Sequence, residues 1–229
     1  MDPNTAPVVI NLPAAITAVG ALGTAAFGLV DTLKVLPCGG ISNVGFAYIR
    51  DVVKKLAPED AALKDAGLSS ASLIETLHSH WINGTHSADQ LNIAKSLIKL
   101  RLTTETAEKL AKETGVDGGV LKTVAEKIKT GTKLEPQESD VYGRFDLLLT
   151  TLLDQAYQRA DQLYRNAAKL AAVPIAVGLA LAATYVVPSD NAIPKAILIG
   201  LISTPIAPMA KDLSSAIATG VQALQAWKK

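Results

Sequence analysis

The chain has 229 residues, a net charge of +1 and 49% apolar residues, with aromatic residues at only 4%. Nothing in so small a net charge points to a nucleic-acid partner, and the Ala, Leu, Val and Ile content suits helices. The single cysteine, Cys38, excludes an internal disulfide and is compatible with a reducing compartment.

The apolar residues are gathered into long uncharged runs. Val8 to Val30 holds no charge over 23 positions, roughly 34 Å of helix at 1.5 Å per residue, so residues 1–36 are predicted to carry an N-terminal transmembrane helix. Asp2 precedes the run without any Lys or Arg. The run therefore lacks the basic opening of a cleavable signal and reads as a retained anchor. Along it Thr17, Gly20, Thr24, Gly28 and Asp31 recur at steps of three and four. Small residues at that spacing let helix backbones approach closely, and hydroxyls can bond across helices, so this stripe is a candidate packing face. The same stripe is open to a second reading as a pore lining through Thr17, Thr24 and Asp31. Asp31 and Lys34, three apart, suit either an interfacial salt bridge or a ring of charges in an oligomer.

Residues 37–136 read as a helical insert. PCGGISNVG breaks the chain, after which Phe46, Ile49, Val53 and Leu56 share one helical side. Ser69 is placed to cap a helix holding Leu73, Ile74, Leu77 and Trp81, ended by Gly84. Ser87 with Gln90 fits a capping box for a helix with Leu91, Ala94, Leu97, Ile98 and Arg101. Thr103 or Thr104 opens the next, which Gly115 ends, and Val120, Val124 and Ile128 mark one more, ended by Gly131. No alternating stretch is long enough for a strand, which makes the insert an all-α bundle.

His78, His80 and His86 are the three histidines, within HSHWINGTH. The first two lie about 200° apart on a helix, and only Asp89 is close enough to help complete a ligand set, so a polar helix end is favoured over a metal site. Cys38 has no adjacent base, and no nucleotide, hydrolase or metalloprotease signature occurs, so neither catalysis nor a cofactor is expected. Asn83-Gly84-Thr85 fits a glycosylation sequon, a triplet common by chance.

Residues 137–187 are predicted as one long helix that begins after Pro136, with the acidic residues of QESD in its first turn. Phe145, Leu149, Leu152, Ala156, Ala160, Leu163, Ala167 and Leu170 form a seam on the charged half; Arg144 and Arg165 follow Asp140 and Asp161 by four. After Lys169 the charges stop. Leu170 to Val187 runs uncharged over 18 positions, roughly 27 Å, enough for a second span, with Ala172, Ala176, Ala180 and Thr184 repeating the small-residue stripe. Pro174 is tolerable within lipid because neighbouring groups repair the lost bond. Residues 188–210 read as a short outer turn, PSDNAIP, and a third span over Ala196 to Ala210 that contains Pro205 and Pro208. Residues 211–229 carry Leu213, Ile217, Val221, Leu224 and Trp227 on one face, suiting a helix laid on the membrane or docked on the insert.

Basic residues cluster on one side of all three runs. Lys34, Arg50, Lys54 and Lys55 follow the first, Arg159, Arg165 and Lys169 precede the second, and Lys211, Lys228 and Lys229 follow the third. One orientation satisfies every span: N-terminus outside, insert and C-terminus in the cytoplasm.

The stretches GRFDLLLTTLLDQAYQRADQLYRN (143–166) and TPIAPMAKDL (204–213) give the layout a resemblance to bacterial inner-membrane proteins with an N-terminal span, a cytoplasmic helical insert and a C-terminal transmembrane hairpin. The resemblance implies that layout and a bacterial inner membrane, and brings no activity. The expectation is an all-α integral membrane protein with three transmembrane helices. The expected role is a self-associating scaffold, or a docking or anchor subunit of a larger membrane assembly, with the lipid bilayer, further copies of itself and an unidentified protein on the cytoplasmic side as expected partners and no nucleic acid. An oligomeric pore is the alternative, and a membrane-tethered enzyme or metal sensor using the histidines is a third.

Overall fold

The computed structural model describes residues 12–32, 40–59, 63–64, 68–186 and 191–207. Cys38, most of the expected outer turn and the helix expected over 211–229 lie outside the described residues. Every regular element among the described residues is helical: α1 (Leu12–Thr32), α2 (Ser42–Leu56), α3 (Ser70–Ile82), α4 (Ser87–Lys99), α5 (Ala107–Thr114), α6 (Gly118–Thr130), α7 (Pro136–Val186) and α8 (Ala192–Ala207). Two compact units divide the chain, residues 37–165 in one and residues 1–36 with 166–229 in the other. The first unit thus takes in the charged half of α7 as well as the insert.

In the 37–165 unit, local chemistry sets the helix ends. Ser69 caps α3 by accepting the Ser72 N–H at 3.1 Å, and Asp117 caps α6 by accepting that of Val120 at 2.9 Å. α5 and α6 stop at Gly115 and Gly131, whose φ of 74° and 68° only glycine adopts without strain. α7 opens with Pro136, at a position where no amide hydrogen is needed, and Glu138 reaches back to accept the Glu135 N–H at 2.7 Å.

Two expected helix starts differ. Ser87 and Gln90 form no capping box: His86 occupies the cap position without a side-chain bond, and Gln90 is buried with its amide donating to the Thr85 carbonyl at 2.5 Å. Burial against the core turns Gln90 away from the amide it would have capped. α5 begins at Ala107 rather than beside Thr103 or Thr104, because Thr103 and Thr106 bond each other (3.1 Å) and hold the intervening residues in a turn.

The core of this unit draws on every helix. Ile49 and Val53 of α2, Leu77 of α3, Ile98 of α4, Leu110 of α5, Leu121 of α6 and Phe145, Leu149 and Leu153 of α7 are fully buried. α6 turns Leu121, Val124 and Ala125 inward, leaving Ile128 exposed. At Gly45 the backbones of α2 and α7 come close: a Cβ there would stand 2.5 Å from the Ala160 carbonyl oxygen and 2.9 Å from the Trp81 ring. Trp81 packs edge-on against Tyr164 and donates from Nε1 to the Ser42 carbonyl at 3.0 Å.

The other unit is built differently. α8 passes through Pro194 in its first turn, where a missing amide hydrogen costs least, and through Pro205 in its last, where it leaves a carbonyl one turn back without its donor. α8 meets α1 at Gly23, where a Cβ would strike the Ser203 backbone, and meets α7 at Gly200, where a Cβ would stand 2.5 Å from Val177 Cα. The buried side chains are small: Ala26, Ala172, Ala176, Ala180, Ala196, Ser203, Thr204 and Ala207, with Val30 the largest. Glycine and alanine at such crossings let helices approach until backbone atoms touch. α1 and α7 each contain an apolar stretch long enough to cross a membrane; α8 is shorter, at about 24 Å.

Candidate functional site

Two regions carry features beyond packing: the exposed faces of the apolar helices, and a groove between α2 and α3.

On α1, the inward face is Gly20, Gly23, Ala26 and Val30, whereas Thr17, Thr24, Gly28 and Asp31 are exposed. Of the expected stripe, Gly20 alone is buried. The Thr24 hydroxyl donates to the Gly20 carbonyl at 3.0 Å and that of Thr184 to the Leu181 carbonyl at 2.7 Å, so both serve their own helices rather than a neighbour. This return bond satisfies the hydroxyl within its own helix. Ala172, Ala176 and Ala180 are buried together, with Thr184 half-buried at the end of their row. On the charged half of α7, Phe145 and Leu149 are buried, Leu152 is half-buried against the same core and Leu163 is half-buried; Leu153 and Tyr157 are buried beside them.

In the apolar unit large side chains point outward. Leu29, Leu170, Tyr185, Val186, Ile193, Ile197, Leu198, Ile199, Leu201 and Ile202 are all exposed, Leu170 by 75% and Tyr185 by 89%. Only 22% of Ala15–Thr32 and 17% of the most apolar stretch of α7 is buried within the chain.

The groove, of about 670 Å³, lies between α2 and α3. Phe46, Ala57, Pro58, Ala71 and Ile74 supply its apolar surface, Arg50 and Lys54 stand on the α2 side, and Glu59, Glu75 and His78 lie along the other. At one end His78 Nε2 bonds Asn43 Oδ1 at 2.9 Å, and its ring lies 4.6 Å from that of Phe46. At the other end the buried Arg101 guanidinium donates to the Pro58 carbonyl (3.1 Å), to Ser70 Oγ (3.3 Å) and to the Leu68 carbonyl. Sequence periodicity places Arg101 on the apolar side of α4 but carries no sign that its charge is satisfied by carbonyls of a distant loop.

The histidines are held apart by separate partners. His80 Nδ1 meets Thr85 Oγ1 at 3.1 Å, while His86 sits exposed before α4. Among the described residues no three His, Cys, Asp or Glu converge.

Charge pairs brace α7 against its neighbours. Asp146 accepts from Lys95 at 3.2 Å and from Lys99 at 2.9 Å. Partial burial pushes the Asp146 carboxyl up, yet the hydrogen bonds and charges of the two lysines together outweigh it and hold the group below the usual carboxylate range. Burial likewise lowers Lys99, but its bonds to Tyr142 and Asp146 leave it raised overall. The bond from Lys127, followed by the Glu135 amide, depresses Glu138. Burial pushes the Tyr157 phenol up, and its hydroxyl donates to the Gln90 carbonyl at 3.4 Å.

Comparison of the chain with protein-family models, curated proteins and solved structures finds no match.

Proposed function

We propose that this is an integral membrane protein of three spans, α1, the apolar half of α7, and α8, with its N-terminus outside and residues 37–165 in the cytoplasm. It self-associates and presents the 37–165 bundle as a docking or anchor module of a larger membrane assembly. The observation that carries this reading is the opposite sorting of side chains in the two units. Residues 37–165 bury Phe, Ile and Leu, as a water-soluble bundle does; the apolar unit buries Ala, Gly and Ser and turns Ile, Leu and Tyr outward.

Magnitudes favour lipid as the solvent of that second unit. Burying a large apolar side chain stabilises by about 1.5–3 kcal/mol, so leaving nine aliphatic side chains and Tyr185 between 38% and 89% exposed to water forgoes on the order of 10 kcal/mol, comparable with a whole domain's net stability. Facing acyl chains they lose nothing. Within lipid, association relies on close packing rather than hydrophobicity, which makes the exposed Thr17, Thr24 and Gly28 face of α1 the contact for a second copy.

The test is the particle size of the purified chain in native nanodiscs or mild detergent. More than one copy per particle is expected, and Gly28→Leu is expected to reduce the number; a strict monomer refutes self-association. Recovery of the chain in the supernatant after membranes are sedimented refutes the membrane reading itself. A pore is the second reading, favoured by the exposure of Thr17, Thr24 and Asp31 on α1. Ion flux through reconstituted vesicles, altered by Asp31→Asn, decides for it.

A further inference from the structure

The bundle of residues 37–165 has one end where two helix termini carry no charge. α4 pairs Lys99 with Asp146 and Gln90 with Tyr157, so it runs back along α7, and its start lies toward the end where α7 leaves the bundle. The turn from α3 into α4 lies at that end too. There Trp81 packs on Tyr164 and donates to the Ser42 carbonyl, and Gly45 of α2 meets α7 between Ala160 and Tyr164. Neither Gly40 to Ile49 nor Trp81 to Ala88 contains a Lys, Arg, Asp or Glu. The opposite end is marked by the Lys127–Glu138 pair, about 33 Å back along α7 from Ala160, and holds seven charged residues within positions 126–140.

Apolar side chains are open at the uncharged end. Val44 is 49% exposed and Ile82 36%. Exposure alone does not set them apart, since Leu100, Ile128 and Leu147 are at least as exposed elsewhere on the bundle. Their neighbours do. Leu100 follows Lys99, Ile128 stands between Lys127 and Lys129, and Leu147 follows Asp146, whereas Val44 and Ile82 adjoin Asn43, Asn83 and Trp81. Amides, hydroxyls and amphipathic aromatic rings without ionised groups are the composition that suits a membrane–water boundary.

The order of residues along α7 gives the depth. Leu170, where the uncharged run begins, lies six residues beyond Tyr164, about 9 Å of helix. A bilayer's headgroup layer is about 5–8 Å thick on each face. α2 starts three residues before its Gly45 crossing, and the α3 turn follows Trp81, so both termini reach from the level of Tyr164 toward that layer. On α7 the exposed Arg159, Arg165 and Lys169 bring cations to the same zone, and Asp161 pairs with Arg165 at 2.8 Å.

We propose that this end of the bundle, Val44 and Ile82 with the turn at residues 83–86, seats in the lipid headgroup layer, with Arg159, Arg165 and Lys169 meeting lipid phosphates. The inference rests on the membrane reading above and adds a second, peripheral lipid contact to the three spans.

Spin labels test it. Val44→Cys, Ile82→Cys, Ile128→Cys and Leu198→Cys, all at exposed positions, are made singly in the full chain carrying Cys38→Ser, labelled, and reconstituted in vesicles of phosphatidylcholine and phosphatidylglycerol. Power-saturation paramagnetic resonance reads each label's accessibility to oxygen, which partitions into lipid, and to a nickel chelate, which stays in water. The oxygen-to-nickel ratio at positions 44 and 82 is expected about threefold above that at 128 and below that at 198. Ratios at 44 and 82 equal to that at 128, with 198 in lipid, overturn the headgroup contact and leave the membrane reading standing; an aqueous ratio at all four overturns both. Labels at 44 and 82 shielded from both reagents mark a protein partner on this end, and ratios matching that at 198 mark burial in hydrocarbon; either overturns the proposal. Circular dichroism verifies that each variant folds. Trp81 fluorescence in Trp227→Phe gives a readout that leaves this surface unaltered: stronger quenching by a headgroup nitroxide lipid than by one labelled deep in the acyl chain is expected, and no quenching by either overturns the proposal.

Discussion

Alanine in place of Gly45 and alanine in place of Gly143 are the same chemical change in two helices, and the structure demands opposite outcomes. A Cβ at Gly45 falls 2.5 Å from the Ala160 carbonyl oxygen, 2.9 Å from Trp81 Cζ2 and 3.2 Å from Tyr164 Cβ, whereas ordinary contact begins at 3.4 Å. The nearest atom is backbone, so no side chain can turn aside; α2 must withdraw from α7 by about 0.9 Å, and overpacking of this kind costs about 1–3 kcal/mol. Against this stands a gain of about 0.5–1 kcal/mol from replacing a helical glycine by alanine. The net for Gly45→Ala is a loss of about 1–2 kcal/mol, or about 2–8 °C in Tm for a chain of this size. At Gly143 nothing lies within 4 Å of the new methyl, so only the gain remains and Tm should rise by about 1–4 °C. Thermal unfolding of the full chain in one detergent, followed by circular dichroism, compares the two directly. If Gly45→Ala raises Tm as much as Gly143→Ala does, α2 and α7 are not in backbone contact and the packing described at that crossing is refuted.

The remaining predictions concern charge and the apolar helices. Arg101→Met leaves the Pro58 and Leu68 carbonyls without their donor and should cost about 3 kcal/mol, measured as a larger fall in Tm than that of Gly45→Ala; Arg101→Lys restores only part of it, because an ammonium cannot fork across both carbonyls. The lowered Asp146 and Glu138 carboxyls contribute stability that is present above their unfolded values, near pH 4, and lost as pH falls through the lower folded values. A Tm profile from pH 7 to pH 2 should therefore decline on the acid side, and Asp146→Asn should lower Tm at pH 7 while flattening that decline. Lys99, raised in the fold, contributes below its unfolded value near pH 10.5 and loses that contribution as pH rises through the higher folded value. Gly200→Val should disturb the α8 packing on Val177 and lower the temperature at which the detergent-solubilised chain aggregates, while Gly178→Val, with open space around it, should leave that temperature unchanged.

Much of the fold is written locally. The uncharged runs, the seam beginning at Phe145, the Ser69 cap and the glycine stops at Gly115 and Gly131 all follow from residue chemistry within a few positions of each other, and the helices α1 to α7 can be placed from them. What local chemistry leaves open is direction. A helical period names a face only to within one residue's rotation of about 100°. For that reason Leu153 and Tyr157 are buried in the α7 seam while Leu152 is half-buried against the core and Leu163 half-buried, and Gly23, Ala26 and Val30, rather than Thr24 and Gly28, are buried on α1, with Gly23 against α8. Small residues occur on several sides of α1, and which side is used depends on where α8 lies.

Two features depend on groups distant in sequence. Periodicity sets Arg101 on the apolar side of its helix, but its charge is accommodated there by the carbonyls of Pro58 and Leu68, more than thirty residues away in the chain, which converge on it. The groove between α2 and α3 lies between bonds, His78 to Asn43 and Arg101 to Ser70, that join residues only the assembled bundle brings together. Composition and periodicity determine that this chain is helical and where its charged and apolar parts lie. Convergence of groups distant in sequence, set by the packing of whole helices, decides which side chains meet and what space remains between them.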